Sequence, residues 1–123
     1  EGRAGRTEEA VSVTKRLSTL RTMTEPEAAW VGAMIEAEGT VGTMAGKWEP
    51  RPHVSVVNTD LEIISALLRA TGVGRVHPIR PLPGRKAIWT WRVGAITDIL
   101  ALVRRCADYS PKCAKWVGGW QSV

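Results

Sequence analysis

The sequence contains no phenylalanine and one tyrosine among 123 residues, so six tryptophans supply nearly all of its aromatic side chains. It also lacks long apolar runs. No segment approaches the roughly 20 apolar residues that span a bilayer, and the first residues lack the apolar core of a signal peptide. We therefore expect a soluble, intracellular protein without a membrane partner, in the cytoplasm or nucleoid or in an organelle matrix.

Cysteine and histidine are also scarce. Cys106 and Cys113 are the two cysteines, and neither they nor His53 and His77 show the spacing of a metal site. We expect reduced thiols near a helix junction rather than a disulfide. Acidic residues are outnumbered, with 12 Asp and Glu against 17 Lys and Arg. The resulting formal charge of +5 suits a polyanion such as nucleic acid, although proteins that bind none are often as basic.

The length and the 44% apolar content fit one domain with a small core. We predict a charged tail over residues 1–23, ending in a short amphipathic helix that carries Val13, Leu17 and Leu20. A single domain is expected over residues 24–123.

The most informative stretch is VGAMIEAEG, residues 31–39. A capping box of Thr24 with Glu27 predicts where its helix begins, and Gly39 predicts where it ends. A carboxylate in the last helical turn is disfavoured by roughly 0.3–1 kcal/mol, so we expect a positive group near Glu38. One helix face is made of small residues that would let a second helix approach closely; with one acid, it comprises Ala29, Gly32, Ala33, Glu36 and Ala37.

Two hairpins and further helices follow. Strands are predicted over 40–44, 53–57, 75–79 and 86–93, with helices beginning at the Thr59–Glu62 capping box, at 95 and at 110–111. On the last strand, Trp89 and Trp91 share one face and Ile88, Thr90 and Arg92 the other. The order of elements predicts an α+β fold with an antiparallel four-stranded sheet backed by helices.

VGAMIEAEG resembles the LAGLIDADG motif of homing endonucleases, with Glu36 and Glu38 at its acidic positions and Gly39 at its last glycine. Gly32 and Ala33 exchange two small residues of the motif. The resemblance runs from about residue 24 to about residue 120 and includes NTDLEIISALL followed by GVG. It implies an αββαββα fold with a saddle-shaped sheet, and a metal-dependent endonuclease that cuts both strands of a long, nearly palindromic DNA site.

VGAMIEAEG occurs once, so one chain supplies one active-site carboxylate. A second chain must supply its partner carboxylate. Family members with one motif form homodimers with their motif helices side by side, which implies an interface of Ala29, Gly32, Ala33 and Glu36. Two Glu38 carboxylates would then bind Mg²⁺, with Mn²⁺ as a substitute and no small-molecule cofactor. The family also has a lysine near the start of the last helix, which corresponds to Lys112 or, less well, to Lys115.

The resemblance further implies polar residues on the second strand that order water, for which His53 and Ser55 are candidates. The outward sheet face and its loops would contact double-stranded DNA through Thr43, Lys47, Arg51, His53, Ser55, Arg75, Arg80, Arg85, Lys86, Thr90 and Arg92. A DNA- or RNA-binding relative without cleavage, such as an intron maturase or a regulator, is the alternative. A structural dimer module without nucleic acid is a third class, which the basic sheet face disfavours.

Overall fold

The computed structural model describes residues 17–44 and 51–119. Its elements are α1 (Glu25–Glu38), β1 (Gly39–Met44), β2 (Arg51–Asn58), α2 (Leu61–Thr71), β3 (Arg75–Ile79), β4 (Ile88–Val93), α3 (Ile96–Cys106) and α4 (Pro111–Ala114). This order confirms the predicted arrangement. The helices found in the described ranges are too short or too polar to cross a membrane.

The four strands form one antiparallel sheet in the order β1-β2-β4-β3. Because side chains alternate across a strand, cross-strand partners show which residues share a face. Val56 pairs with Trp91, and both are fully buried beneath the helices. Arg92 pairs with Ser55 and Arg75 on the opposite, outer face. The predicted division of β4 into a tryptophan face and an arginine face is therefore confirmed.

Helix α1 lies at the centre of the fold, with Ala28, Val31 and Ile35 fully buried. The predicted capping box is present, because the Thr24 hydroxyl accepts from the Glu27 amide at 3.2 Å and the Glu27 carboxylate accepts from the Thr24 amide at 2.8 Å. Gly39 has extended backbone and leads directly into β1. A Cβ atom there would lie 2.7 Å from the Ile35 carbonyl oxygen, so lack of space accounts for the glycine.

The predicted start of α2 is wrong by one residue. Asp60, not Thr59, is the N-cap, and its carboxylate accepts from the Glu62 amide at 2.9 Å. The Asp60 amide in turn donates to the Asn58 side-chain oxygen at 2.7 Å. Helix α2 ends at Gly72 as predicted, where φ of +69° favours glycine.

The part of the predicted tail that is described, residues 17–23, contains no helix and packs against the domain. The Arg21 amide donates to the Thr71 carbonyl at 2.8 Å, and Met23 is buried in the core. Leu17 is 64% exposed, so it does not form the apolar side of a helix. Val13 lies outside the described residues.

Cys106 and Cys113 are both free and buried, in agreement with the prediction of reduced thiols. Burial raises the pKa of the Cys106 thiol to about 12. This thiol stays protonated at neutral pH and acts as part of the core.

Candidate functional site

Glu38 is the last residue of α1 and is exposed at the point where the helix meets the sheet. Its Oε1 atom accepts a hydrogen bond from Asn58 Nδ2 at 2.6 Å. Asn58 ends β2, and its side-chain oxygen is held by the Asp60 amide. The two bonds of Asn58 thus fix the position of one carboxylate oxygen. Within residues 17–44 and 51–119, Glu38 Oε2 has no hydrogen-bond partner.

A lysine lies beside this helix end. Lys112 Nζ donates to the Gly39 carbonyl at 2.9 Å, one residue beyond Glu38. The Lys115 ammonium instead lies 5.7 Å from the centroid of the Trp116 ring, a cation–π distance. The structure therefore places Lys112 at the motif, but among the described residues no cation forms an ion pair with Glu38, whose hydrogen-bond partner is the neutral Asn58 amide. The catalytic role of Lys112 stays a prediction.

Glu36 joins α1 to α4. Its Oε1 atom accepts from the Lys112 amide and from the Ser110 hydroxyl, both at 2.9 Å. These hydrogen bonds, the one from the Lys112 amide first, hold the pKa of the Glu36 carboxyl below its ordinary value. One oxygen of the carboxylate is thus engaged within its own chain, and the place of Glu36 in a subunit interface stays a prediction.

Gly32 also faces its own chain. A Cβ atom at this position would lie 2.7 Å from Tyr109 Cβ and 3.4 Å from the Cys106 carbonyl oxygen. The absent side chain of Gly32 lets the segment after α3 pack onto α1, and a partner chain has no access to it. The prediction of Gly32 as an interface residue is therefore corrected.

The accessible side of α1 consists of other residues. Trp30 is 38% exposed, and Ala33 and Ala37 are exposed one helical turn apart, while Ala29 and Met34 are half-buried. This exposed face adjoins Glu38. Of the four predicted interface residues, Ala33 lies fully on it and Ala29 lies partly at its margin.

The outer sheet face carries most of the polar residues predicted on strands. Its predicted members are Arg51, His53, Ser55, Arg75, Thr90 and Arg92. Thr40 and His77 also lie there and were missed, because the register that pairs them with Ser55 and Thr90 is not readable from either strand alone. Arg80, Arg85 and Lys86 lie exposed in the loop between β3 and β4. Lys47 lies outside the described residues.

Thr43 does not share this face. It pairs with Pro52, and the alternation that places Val41 and Val54 over the core places Thr43 on the helix side as well. The prediction of Thr43 on the outward face is therefore wrong, and Thr40 takes that place on β1.

The polar residues of the outer face differ in accessibility. Ser55 and Thr90 are only 8% and 7% exposed, whereas Arg75, His77 and Arg92 are exposed. Burial, and after it the nearby Arg92 charge, lowers the pKa of the His53 imidazole below its ordinary value. His53 Nδ1 is buried without a hydrogen-bond partner in the described part of the chain. His53 is therefore a neutral imidazole at neutral pH.

One chain offers few metal ligands. The described residues hold no cluster of three or more His, Cys, Asp or Glu side chains suited to a metal ion. Glu38 is nevertheless a hard oxygen ligand of the kind that Mg²⁺ prefers, held by Asn58 and exposed. One chain thus offers Glu38 as a single candidate ligand for a divalent metal.

The fold matches that of solved structures. One is the homing endonuclease I-CvuI in complex with DNA in the presence of Mg, with 14% identity, a TM-score of 0.60, and coverage of 73% of this chain and 62% of that chain. The archaeal intron-encoded homing endonuclease I-Vdi141I complexed with DNA has 18% identity, a TM-score of 0.54 and coverage of 69% and 56%. The group I intron-encoded homing endonuclease I-CeuI complexed with DNA has 15% identity, a TM-score of 0.52 and coverage of 77% and 52%.

The chain thus spans less than two thirds of the length of each of these proteins. No protein-family model matches the sequence, and no curated protein matches it. The structure thus defines the class of protein: an α+β chain with an exposed carboxylate at the point where its central helix meets an antiparallel sheet. Its fold is that of the LAGLIDADG homing endonucleases, as the resemblance implied.

Proposed function

We propose that the protein is a site-specific, double-strand DNA homing endonuclease that acts as a homodimer with a divalent metal. The observation that carries this proposal is Glu38, whose exposed carboxylate ends the motif helix beside a basic sheet face. A protein that only bound DNA would gain nothing from a fixed carboxylate next to phosphate, because the two negative charges repel.

The dimer would form through the exposed face of α1. A two-fold interface uses the same patch on both chains, and Ala33 and Ala37 would let two copies of α1 pack closely. Glu38 follows Ala37 directly, so this packing brings the two Glu38 carboxylates close together. Each chain then completes the site of the other.

The paired Glu38 carboxylates would bind Mg²⁺ together with phosphate oxygens of the DNA. The bound ion would lower the pKa of a water molecule and stabilise the leaving oxygen in phosphodiester hydrolysis. Asn58 holds each Glu38 in place, and Lys112 supplies positive charge at the carbonyl of Gly39, the next residue. Lys112 would offset the negative charge that develops on the phosphate in the transition state.

The proposal is tested by incubating the protein with a DNA library in which every position of a long target site is varied. Cleavage of the library members is then measured. We expect double-strand cleavage in Mg²⁺ or Mn²⁺ and none when the metal is removed by a chelator. Specific binding without cleavage under any of these conditions would instead indicate the non-cleaving relative. Absence of specific binding would indicate a structural dimer module.

Replacing Asn58 with alanine should slow cleavage by roughly 10- to 100-fold, the usual effect of removing a group that orients a metal ligand. The Mg²⁺ concentration for half-maximal cleavage should rise, and DNA affinity measured in Ca²⁺ should stay unchanged. Because Asn58 also bonds the Asp60 amide, the control is Asp60→Ala, which removes the α2 cap but leaves the Asn58–Glu38 bond. An equal loss of activity in Asp60→Ala would show that Asn58 acts only by stabilising α2.

A further inference from the structure

Arg75 and Arg92 are direct cross-strand partners on the outer face of the sheet. Side chains in such pairs start roughly 4.5–5.5 Å apart, and like charges directly opposite each other are unfavourable. Both arginines are exposed, and neither side chain has a hydrogen bond or ion pair to any residue in 17–44 or 51–119. Two arginine side chains therefore extend from neighbouring positions on the outer face, and neither forms an ion pair within the described part of the chain.

A carboxylate lies near but is already engaged. Asp98 lines the same surface cleft of about 360 Å³ as the two arginines. Its Oδ1 atom accepts from the Ser18 hydroxyl at 2.8 Å and from the Thr19 amide at 3.0 Å. Asp98 thus anchors residues 18 and 19, and among the described residues it forms no ion pair with Arg75 or Arg92. The pair is left able to bind an external acceptor.

The backbone beneath the arginines is held firmly in place. Trp91, on the opposite face of β4, donates from its indole nitrogen to the Val73 carbonyl at 2.9 Å. Gly74 has φ of +91°, and a Cβ atom there would lie 2.8 Å from both the Arg92 carbonyl oxygen and Trp91 Nε1. This close packing fixes the start of β3 against β4. The positions from which the two guanidinium groups extend are therefore preorganised.

The position of the pair favours contacts with bases over contacts with phosphates. Arg75 and Arg92 belong to a row that continues through Ser55 to Thr40 and so crosses all four strands. When an antiparallel ribbon lies in the major groove, side chains on the strands of its face reach base edges, and loops beyond the strands reach the backbone. Arginine binds the O6 and N7 atoms of guanine with two hydrogen bonds, and successive base pairs are about 3.4 Å apart.

We propose that Arg75 and Arg92 read two guanines, on either strand, in neighbouring base pairs of each half-site. This inference rests on the proposed function and adds the base sequence that the sheet recognises. The structural origin of the guanine preference is the direct cross-strand pairing of Arg75 with Arg92 on the outer face, with Trp91 buried on the opposite face of the sheet.

The test is selection of binding sites from DNA with randomised half-sites, in Ca²⁺ so that the DNA stays intact. The wild-type protein should enrich guanine in two neighbouring base pairs. Arg75→Ala and Arg92→Ala should each reduce the preference for guanine at one of these positions by roughly 5- to 150-fold. Lys86→Ala, in the exposed loop, should weaken binding to all sequences alike.

Arg92→Lys distinguishes a base contact from a phosphate contact. Lysine keeps the charge but cannot form the same planar pair of hydrogen bonds, so the guanine preference should fall while the salt dependence of binding stays unchanged. The guanine that Arg92 contacts can be replaced with 7-deazaguanine, which lacks the N7 acceptor. This replacement should weaken binding by the wild type but not binding by Arg92→Ala. Both arginines are exposed and carry like charges, so melting temperatures should not fall.

Retention of the full guanine preference in Arg75→Lys and Arg92→Lys, or in the alanine variants, would overturn the inference. So would selected sites without neighbouring guanines. In either case specific binding and cleavage by the wild type would leave the proposed function standing. Failure of the wild-type protein to select any sequence would remove both proposals together.

Discussion

Glu38→Gln is expected to abolish DNA cleavage and to leave specific DNA binding intact. Glutamine has the same shape and can still accept the Asn58 hydrogen bond through its side-chain oxygen, but it lacks the charge that holds a divalent metal. Metal ions supply several kcal/mol of transition-state stabilisation, and each 1.4 kcal/mol is a tenfold change in rate. We expect cleavage to fall at least about 1,000-fold, measured on one target in Mg²⁺ with binding measured in Ca²⁺.

Glu36→Gln is the matched control, since it makes the same chemical change two residues earlier in α1. Its oxygen can still accept from the Ser110 hydroxyl and the Lys112 amide, so the junction of α1 with α4 should survive and cleavage should change little. An equal loss of cleavage in Glu36→Gln would mean that cleavage depends on negative charge anywhere on α1 and not on a metal ligand at Glu38. If Glu38→Gln lost binding together with cleavage, Glu38 would have a folding role instead.

The parts of the fold that were predicted correctly have local causes. The capping box of Thr24 and Glu27 lies within four residues, and the end of α2 at Gly72 needs only a left-handed residue. The two faces of β4 follow from strict alternation of Trp89 and Trp91 with polar neighbours. Strand β1, GTVGTM, lacks such alternation, and its register with β2 therefore could not be read. This is why Thr43 was placed on the wrong face.

The site was only partly predictable, because its contacts join residues far apart in the chain. Glu38 was found from its motif, but its hydrogen bond to Asn58 was not, since an asparagine before a helix also fits a role in helix capping. Gly32 and Ala33 are both small and adjacent, and helical spacing alone does not decide which of them faces Tyr109. Only tertiary packing separates an internal helix face from an exposed one.

Ala33→Leu is therefore the sharper test of the dimer, and it should convert the protein to a folded, inactive monomer. Ala33 is exposed, so the larger side chain extends towards solvent in the monomer, and the melting temperature of the monomer should be unaffected. Overpacking costs roughly 1–3 kcal/mol per site, and two-fold symmetry places the substitution twice in one interface. The dimer should then weaken by roughly 2–6 kcal/mol, or from about 30-fold to more than 10⁴-fold.

Sedimentation across a range of concentrations measures this shift, with cleavage assayed on the same samples. Gly32→Leu should differ, because its side chain would collide with Tyr109 and lower the melting temperature before any effect on assembly. Ala87→Leu, in the exposed loop between β3 and β4, adds the same atoms away from α1 and should leave the dimer intact. If Ala33→Leu remains dimeric and active, the subunits meet elsewhere. The two Glu38 carboxylates would then not be brought together by α1, and the shared metal site would have to be abandoned.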